Sequence, residues 1–263
     1  MARGAEWVAT AKTIASIAYE SDIRYIATSL AYYAFISLMP VLLLGFIVFG
    51  RQLAGVISAS DAQFLTPDTQ QLVYEGLTTA SGRTAATVLS VVVLAWSGAN
   101  VGVGFLTVVE RIEAVTEQPL ARQVYEAATV LGTLTVAIIV IIVQSVFLAL
   151  FATDLLSVVA GFAVLFVVLT VTLLPLYLVP SRVAGSLTDA LPGAMTTAMG
   201  WTVIHAVVQF YVTNAGQYAI YGVLSGLILI LTSTYVAAIV LMVGVVVNAV
   251  LATDTDELYD VSG

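Results

Sequence analysis

Long stretches without a formal charge dominate the pattern of hydrophobic and polar positions along this chain. Residues 25–50, 84–109, 127–153 and 155–181 contain no Asp, Glu, Lys or Arg, and neither does the longer stretch 190–253. A helix of roughly 20 apolar residues crosses a bilayer core of about 30 Å. Each shorter stretch therefore predicts one membrane crossing, and the longest predicts two. The expected fold is an all-α integral membrane protein with six transmembrane helices in one bundle.

Polar residues between these stretches predict where each span ends. Gly50 and Arg51 are expected to close the first span, Asp154 to mark a tight turn after the third, and Pro180 to end the fourth. The last span is longer than a bilayer is thick, so it should tilt, kink or project. The predicted spans are residues 29–49, 86–109, 128–153, 156–179, 191–213 and 221–251, within a transmembrane domain of residues 29–252.

The segments outside the spans have their own patterns. In residues 1–28, Trp7, Ile14 and Ile17 recur at helical spacing between charged positions, which predicts a cytoplasmic amphipathic helix. Residues 51–84 form a 34-residue polar excursion between the first two spans, where Thr66 and Pro67 are typical of the start of a short helix. Residues 253–263 form an acidic tail.

The distribution of Lys and Arg predicts the orientation in the membrane. With the N-terminus inside, basic residues are concentrated in the inner segments, as the positive-inside rule requires. The inner ones are Arg3, Lys12, Arg24, Arg111, Arg122 and Arg182, and the outer ones are Arg51 and Arg83. We therefore expect a multi-pass protein of the cell membrane with both termini in the cytoplasm and the 51–84 excursion outside.

Composition agrees with this class and excludes others. Hydrophobic residues make up 60% of the chain and charged residues 9%, whereas a soluble domain has about 25% charged residues. The sequence has no cysteine, one histidine and a net charge of −8, with no GxSxG, HExxH or P-loop motif. We therefore expect no enzyme, no cofactor, no metal and no nucleic-acid partner. The expected partners are the lipid bilayer and, as an open alternative, further copies of the chain in a homo-oligomer.

Polar residues inside the predicted spans are the candidate site, because polar groups are costly in hydrocarbon. Thr197, Trp201, His205 and Gln209 lie four residues apart and share one helix face. His205 is interpreted either as a proton relay or substrate contact, or as a neutral side chain that hydrogen-bonds across the bundle, and we favour the second. The candidate intramembrane polar pathway comprises Asn100, Gln144, His205, Gln209 and Asn248.

Small residues and prolines in the spans predict how the helices pack and bend. Close helix packing is expected at Gly98, Gly102, Gly222 and Gly226. Pro40 and Pro175 are expected to kink the first and fourth spans, because each removes a backbone hydrogen bond. Prolines in these two spans are also compatible with an inverted repeat of three and three helices, as found in many transporters.

Four segments together resemble the YihY/BrkB family of multi-pass inner-membrane proteins, once labelled ribonuclease BN. The first is LAYYAFISLMP at 30–40, close to the family's opening of span one, and the second is LAWS at 94–97 followed by ERI at 110–112. The third is YLVPSRV at 177–183 leading to LPGA at 191–194. The fourth is YGVL at 221–224 with Tyr235 and GVVVNA at 244–249.

The chain departs from that family's pattern at three positions. The last motif of the family carries an intramembrane Glu where this chain has Val246. The family also has a Trp two residues before Tyr235, where this chain has Ser233, and an Asn before Arg111, where it has Glu110. No mechanism that needs the Glu can therefore hold here. The resemblance implies six helices with both termini inside, and the family's usual label implies transport.

Two functions are expected from these observations. The first is a transporter or exporter of a small-molecule or lipid-like substrate. The alternative is a non-transporting membrane scaffold or envelope-associated factor that binds a partner through the 51–84 excursion or the acidic tail. The old ribonuclease label finds no support in the residues.

Overall fold

The computed structural model describes residues 2–59, 80–113, 119–214 and 222–260, and its regular structure in these ranges is entirely helical. This confirms the all-helical class for the described part of the chain. Its helices are α1 (Ala2–Glu20), α2 (Ile23–Ala59), α3 (Ala80–Glu113), α4 (Leu120–Phe151), α5 (Leu155–Leu178), α6 (Leu187–Thr213) and α7 (Gly222–Asp260).

Five of these helices are long and apolar enough to cross a membrane. The qualifying segments are Ile23–Gly45, Thr84–Glu113, Leu120–Phe151, Leu155–Leu178 and Leu224–Ala252. Helix α6 has 27 residues, so its length suffices. Its threonines, together with His205 and Gln209, make it less hydrophobic than the five qualifying segments. The crossing by α6, and with it the count of six, stays a prediction.

Two helices extend beyond the ends that the sequence predicts. Helix α2 continues through Gly50 and Arg51 to Ala59, because arginine is a good helix former and one glycine costs only about 1 kcal/mol. Helix α7 continues past Leu251 to Asp260, so the first part of the predicted acidic tail is helical. Of the 51–84 excursion, residues 60–79 lie outside the described part of the chain, as does the short helix predicted at Thr66 and Pro67.

Local hydrogen bonds set several helix ends. Helix α1 ends where Asp22 adopts a left-handed conformation with φ of 54°, a common way for a helix to terminate. A capping box between Asp154 and Ser157 begins α5, and a second between Ser186 and Asp189 begins α6. Hydrogen bonds from the Ser157 side chain, and then from its backbone, lower the pKa of the exposed Asp154 carboxyl. The turn predicted at Asp154 is therefore the N-cap of α5, held by reciprocal hydrogen bonds with Ser157.

The chain divides into two compact units, residues 33–100 and the remainder. In the larger unit, α6 packs against α5 and α7, α4 packs against α5, and α1 packs against α7. In the smaller unit, the rings of Tyr33 and Trp96 meet edge to face at 5.3 Å. The core of the larger unit is apolar, and its fully buried large side chains include Phe105, Leu165, Leu169, Leu173, Leu176 and Met242.

The prolines lie inside helices that continue past them. Pro40 is buried in α2, and Pro175 is exposed in the last turn of α5, where its carbonyl accepts the N–H of Val179. A third proline, Pro192, lies inside α6. The kinks at Pro40 and Pro175 stay predictions, and so does the inverted repeat.

Candidate functional site

A row of side-chain hydrogen bonds joins α5, α6 and α7. The hydroxyl of Tyr177 donates to the carbonyl of Leu241 at 2.7 Å and lies 2.5 Å from the hydroxyl of Thr197. One turn further along α6, the indole nitrogen of Trp201 donates to the carbonyl of Ala237 at 3.1 Å. Thr197 and Trp201, half of the polar face predicted in the fifth span, therefore bind neighbouring helices, as polar residues often do in membrane bundles.

Asn248 links α7 to α6 through both the oxygen and the nitrogen of its side-chain amide. Its Oδ1 accepts the backbone N–H of Gly193 at 2.5 Å, and its Nδ2 donates to the carbonyl of Ala190 at 3.4 Å. This contact lies beside Pro192, where the proline ring interrupts the backbone hydrogen bonds of the helix. Asn248, one of the five predicted pathway residues, is therefore a link between helices in this structure.

Glycines let α6 and α7 approach closely at this contact. A Cβ atom added at Gly193 would lie 2.4 Å from the carbonyl oxygen of Gly244, and one at Gly244 would lie 2.5 Å from the Tyr177 hydroxyl. At Gly200, an added Cβ would lie 2.4 Å from Val240. At Gly193 and Gly244 a side chain would meet the backbone of the facing helix, so it fits only if the helices separate. At Gly200 the Val240 side chain would have to shift.

The glycines that the sequence predicts at close helix contacts leave more room for an added Cβ where the structure tests them. At Gly102 an added Cβ would make an ordinary contact of 3.5 Å with Ala127, whereas at Gly226 it would meet nothing within 4 Å. Gly98 lies within α3, and Gly222 is the first residue of α7. Of the glycines compared here, Gly193 and Gly244 lie close to the backbone of the facing helix, and Gly226 makes no such approach. A GxxxG spacing is common in apolar helices, and it does not show which face meets a neighbour.

His205 and Gln144 are buried, and each has one side-chain nitrogen without a hydrogen-bond partner in the described part of the chain. Each is 8% exposed, and the nitrogen concerned is Nε2 in both residues. The His205 ring meets Phe162 edge to face at 5.7 Å. Gln144 Nε2 lies 2.8 Å from where a Cβ of Gly161 would be. The two side chains therefore contact adjacent residues of α5, at one level of the bundle.

The other two predicted pathway residues are placed differently. Asn100 donates to the carbonyl of Trp96 in its own helix at 2.8 Å, and it belongs to the 33–100 unit. Gln209 is half-buried near the end of α6, and its carbonyl accepts the hydroxyl of Thr213. Of the five residues, the structure brings Gln144 and His205 to one level of α5, while Asn248 takes part in the α6–α7 contact.

A charged cluster closes the end of the bundle where α3 stops and α4 begins. Glu126 is only 2% exposed, and its Oε1 accepts from Arg122 Nε at 2.8 Å and from Arg182 Nη2 at 2.9 Å. Glu113 accepts from the Ser181 hydroxyl and from the backbone N–H of Arg182, both at 2.5 Å. We call Glu113, Arg122, Glu126, Ser181 and Arg182 the charged end. Arg182 thus joins α3 and α4 to the loop before α6.

A small cavity lies between the charged end and the α6–α7 contact. Its volume is about 10 Å³, which is room for a single water molecule. The lining residues are Phe105, Val109, Glu113, Leu176, Tyr177, Ser181, Val245 and Asn248. Neither His205 nor Gln209 lines this cavity. In the described part of the chain, no three His, Asp or Glu side chains form a group that could hold a metal ion.

Sequence reasoning missed Tyr177 and Glu126. Tyr177 lies in a charge-free stretch, and no spacing distinguishes it from the other tyrosines, so its buried hydrogen bonds could not be foreseen. Glu126 does carry a signal, because Arg122 precedes it by four residues and such pairs meet on a helix surface. Nothing in the spacing shows that Arg182, 56 residues further on, completes the pair.

The fold and these polar contacts define a multi-pass, all-α membrane protein whose helices are joined by buried side-chain hydrogen bonds. The family model described as "Virulence factor BrkB" matches residues 15–260. The chain therefore belongs to the BrkB family, in agreement with the resemblance of its motifs.

One relative adds a limited comparison. YfkH of Bacillus subtilis (strain 168), which its name describes as a ribonuclease-like protein, is 31% identical over 85 residues. That region covers 32% of this chain and 31% of YfkH, so the chain aligns with about a third of the relative's length. No solved structure matches the chain.

Proposed function

We propose that this protein is a membrane transporter or exporter that moves a small-molecule or lipid-like substrate past Gln144 and His205. The observation that carries the proposal is the pair of unpartnered polar atoms, Gln144 Nε2 and His205 Nε2, at one level of α5. Other polar side chains in these helices, such as Trp201 and Asn248, bind a neighbouring helix.

Energetics support this assignment. Leaving a polar group unsatisfied in hydrocarbon costs several kcal/mol, so packing alone would select against both side chains. A state in which water or substrate reaches them would offset this cost. Intramembrane polar residues that face the bundle interior commonly mark such pathways. The described conformation would then be a closed state.

The alternative is a non-transporting scaffold that binds a partner through the 51–84 excursion or the acidic tail. It is favoured by the pairing of Tyr177, Thr197, Trp201 and Asn248, which all serve contacts between helices. Deleting residues 60–79 and 253–263 would test it. A scaffold would lose its function while the bundle stays folded, and full function after both deletions would contradict it.

Aqueous access to α4 and α6 distinguishes the two functions. Because the chain has no cysteine, single cysteines can be introduced without background reaction. Gln144→Cys and His205→Cys are compared with Val143→Cys and Val203→Cys, whose native side chains are exposed on the same helices. The reagent is a charged, water-soluble thiosulfonate, added to either side of proteoliposomes.

A transport pathway predicts that both 144 and 205 react from at least one side and that positions 143 and 203, facing lipid, do not. The transport proposal fails if positions 144 and 205 react no faster than the two controls on either side.

We also propose that both termini lie in the cytoplasm and that the chain has no ribonuclease activity. The acidic net charge of −8 supports the second point, because RNA binding needs clustered basic residues. Reaction of an impermeant reagent with Arg122→Cys in intact cells would contradict the orientation. Cleavage of RNA by the purified protein, but not by a mock preparation, would contradict the absence of ribonuclease activity.

A further inference from the structure

The cavity beside the charged end is bordered by polar groups whose hydrogen-bonding capacity can be counted. Asn248 has a fixed amide orientation, because its Oδ1 must face the N–H of Gly193. One Nδ2 hydrogen is directed to the carbonyl of Ala190. The second has no partner among the described residues, so Asn248 offers the cavity a donor.

Glu113 and Tyr177 offer acceptors. The carboxylate of Glu113 has about four acceptor positions, and the Ser181 hydroxyl and Arg182 N–H occupy one on each oxygen. Tyr177 donates its only hydroxyl hydrogen to the carbonyl of Leu241, so its oxygen can only accept. The Thr197 hydroxyl at 2.5 Å uses one acceptor position, and one is left for the cavity. The hydroxyl of Ser181 donates to Glu113 and accepts the N–H groups of Val183 and Ala184, so its capacity is used.

One donor and two acceptors around a cavity of this size match the requirements of one molecule. A buried water typically makes about three hydrogen bonds and needs a cavity of about 10–15 Å³. A bare cation fits less well, because the N–H of Asn248 would point at it and sodium or calcium needs more oxygen ligands.

We propose that this cavity is the binding site of one ordered water molecule that accepts from Asn248 and donates to Glu113 and Tyr177. The water links α3, α5 and α7 at the charged end, and it hydrates the carboxylate of Glu113 from the bundle side. This site is separate from Gln144 and His205, and it does not depend on the proposed transport function.

Radiolytic hydroxyl-radical labelling of the protein in lipid nanodiscs tests the site, because a bound water oxidises the aromatic side chains beside it. The protein is mixed with heavy-oxygen water and irradiated at increasing delays. We expect Phe105 or Tyr177 to be labelled from a water that exchanges more slowly than the water labelling exposed Tyr19. No labelling at Phe105 and Tyr177 means a dry cavity, and exchange as fast as at Tyr19 means an open cleft. Either result overturns the proposal.

Two matched variants locate the labelled water. Val245→Ile adds a methylene to the cavity lining and should abolish most labelling at Phe105 and Tyr177. Val250→Ile adds the same group to a buried residue of α7 outside the cavity and should leave the labelling intact. Unchanged labelling in a folded Val245→Ile protein would overturn the proposal. If Val245→Ile does not fold, the exchange measured on the parent protein decides alone.

Discussion

Arg182 holds the buried carboxylate of Glu126 through a contact of 2.9 Å between Nη2 and Oε1. The backbone N–H of the same residue binds Glu113. A charge that is almost fully buried is tolerated only when it is paired and hydrogen-bonded. The loop between α5 and α6 is therefore fixed to two other helices by one arginine.

Replacing this arginine should destabilise the protein. Arg182→Gln leaves Glu126 buried with only the half-exposed Arg122, and we expect a loss of about 2–4 kcal/mol in the free energy of unfolding. Arg122→Gln is the control, with an expected loss of about 0.5 kcal/mol, because a half-exposed partner at i,i+4 spacing on a helix contributes little and Arg182 still neutralises Glu126. Unfolding in detergent micelles, followed by circular dichroism, measures both. Equal losses would show that Arg182 has no special role.

The glycine contact between α6 and α7 gives a second prediction. Gly193→Ala places a methyl group against the backbone of α7, and we expect a loss of about 1–3 kcal/mol because the helices must separate. Gly226→Ala is the control, since its Cβ would enter open space, and it should be neutral or slightly stabilising. The comparison uses thermal unfolding of both variants. A larger loss at Gly226 would support the packing predicted from the GxxxG spacing instead.

Asn248 should matter for stability as a hydrogen-bonding group. Asn248→Leu has a similar volume but leaves the buried N–H of Gly193 without its side-chain acceptor, so we expect a loss of about 1–3 kcal/mol. Thr196→Val serves as the control, because the Thr196 hydroxyl binds only a carbonyl of its own helix. The midpoint of denaturant unfolding reports the difference. Equal midpoints for the two variants would remove Asn248 as a link between helices.

Replacing Gln144 of α4 or His205 of α6 should not lower the stability of the protein, in contrast to the three changes above. His205→Phe and Gln144→Met replace unsatisfied polar groups by apolar ones of similar size, so stability should be unchanged or should rise by about 1–2 kcal/mol. Both variants should lower transport once a substrate is known, because they remove the polar contacts. Thermal stability in nanodiscs is the measurement. A clear loss of stability in both would indicate that these side chains already have partners.

The cap of α5 should depend on pH. Hydrogen bonds from Ser157 lower the pKa of Asp154 in the folded state, so the ionised cap stabilises at neutral pH. This contribution should decline as pH falls below the ordinary carboxyl value of about 4 and be lost below the lowered folded pKa. Asp154→Asn keeps an amide oxygen as cap without titrating. The difference in melting temperature between parent and variant should therefore change in this range, and a constant difference would contradict the assignment.

The sequence predicts the fold better than the site. Charge-free stretches identify the apolar helices because the cost of burying charge in a bilayer acts on every residue of a span. The same reasoning misplaced the end of α2, because Gly50 and Arg51 weaken a helix too little to stop it. The sequence identifies Gln144, His205 and Asn248 as polar residues within the spans. It could not show that the Asn248 amide is paired whereas the amide nitrogen of Gln144 has no partner in the described part of the chain. That distinction depends on which helix faces lie together, and α4 and α6 meet different faces of α5.

The contact of α6 with α7 has a consequence for motion. Where two backbones touch through Gly193 and Gly244 and are fastened by Asn248, small sliding movements would break hydrogen bonds without forming new ones. Tyr177 ties α5 to the same pair, so the three helices should behave as one stiff unit, and any change of state should occur by movement of this unit against α4. Gln144 lies on α4 and His205 on α6, so such a movement would separate them.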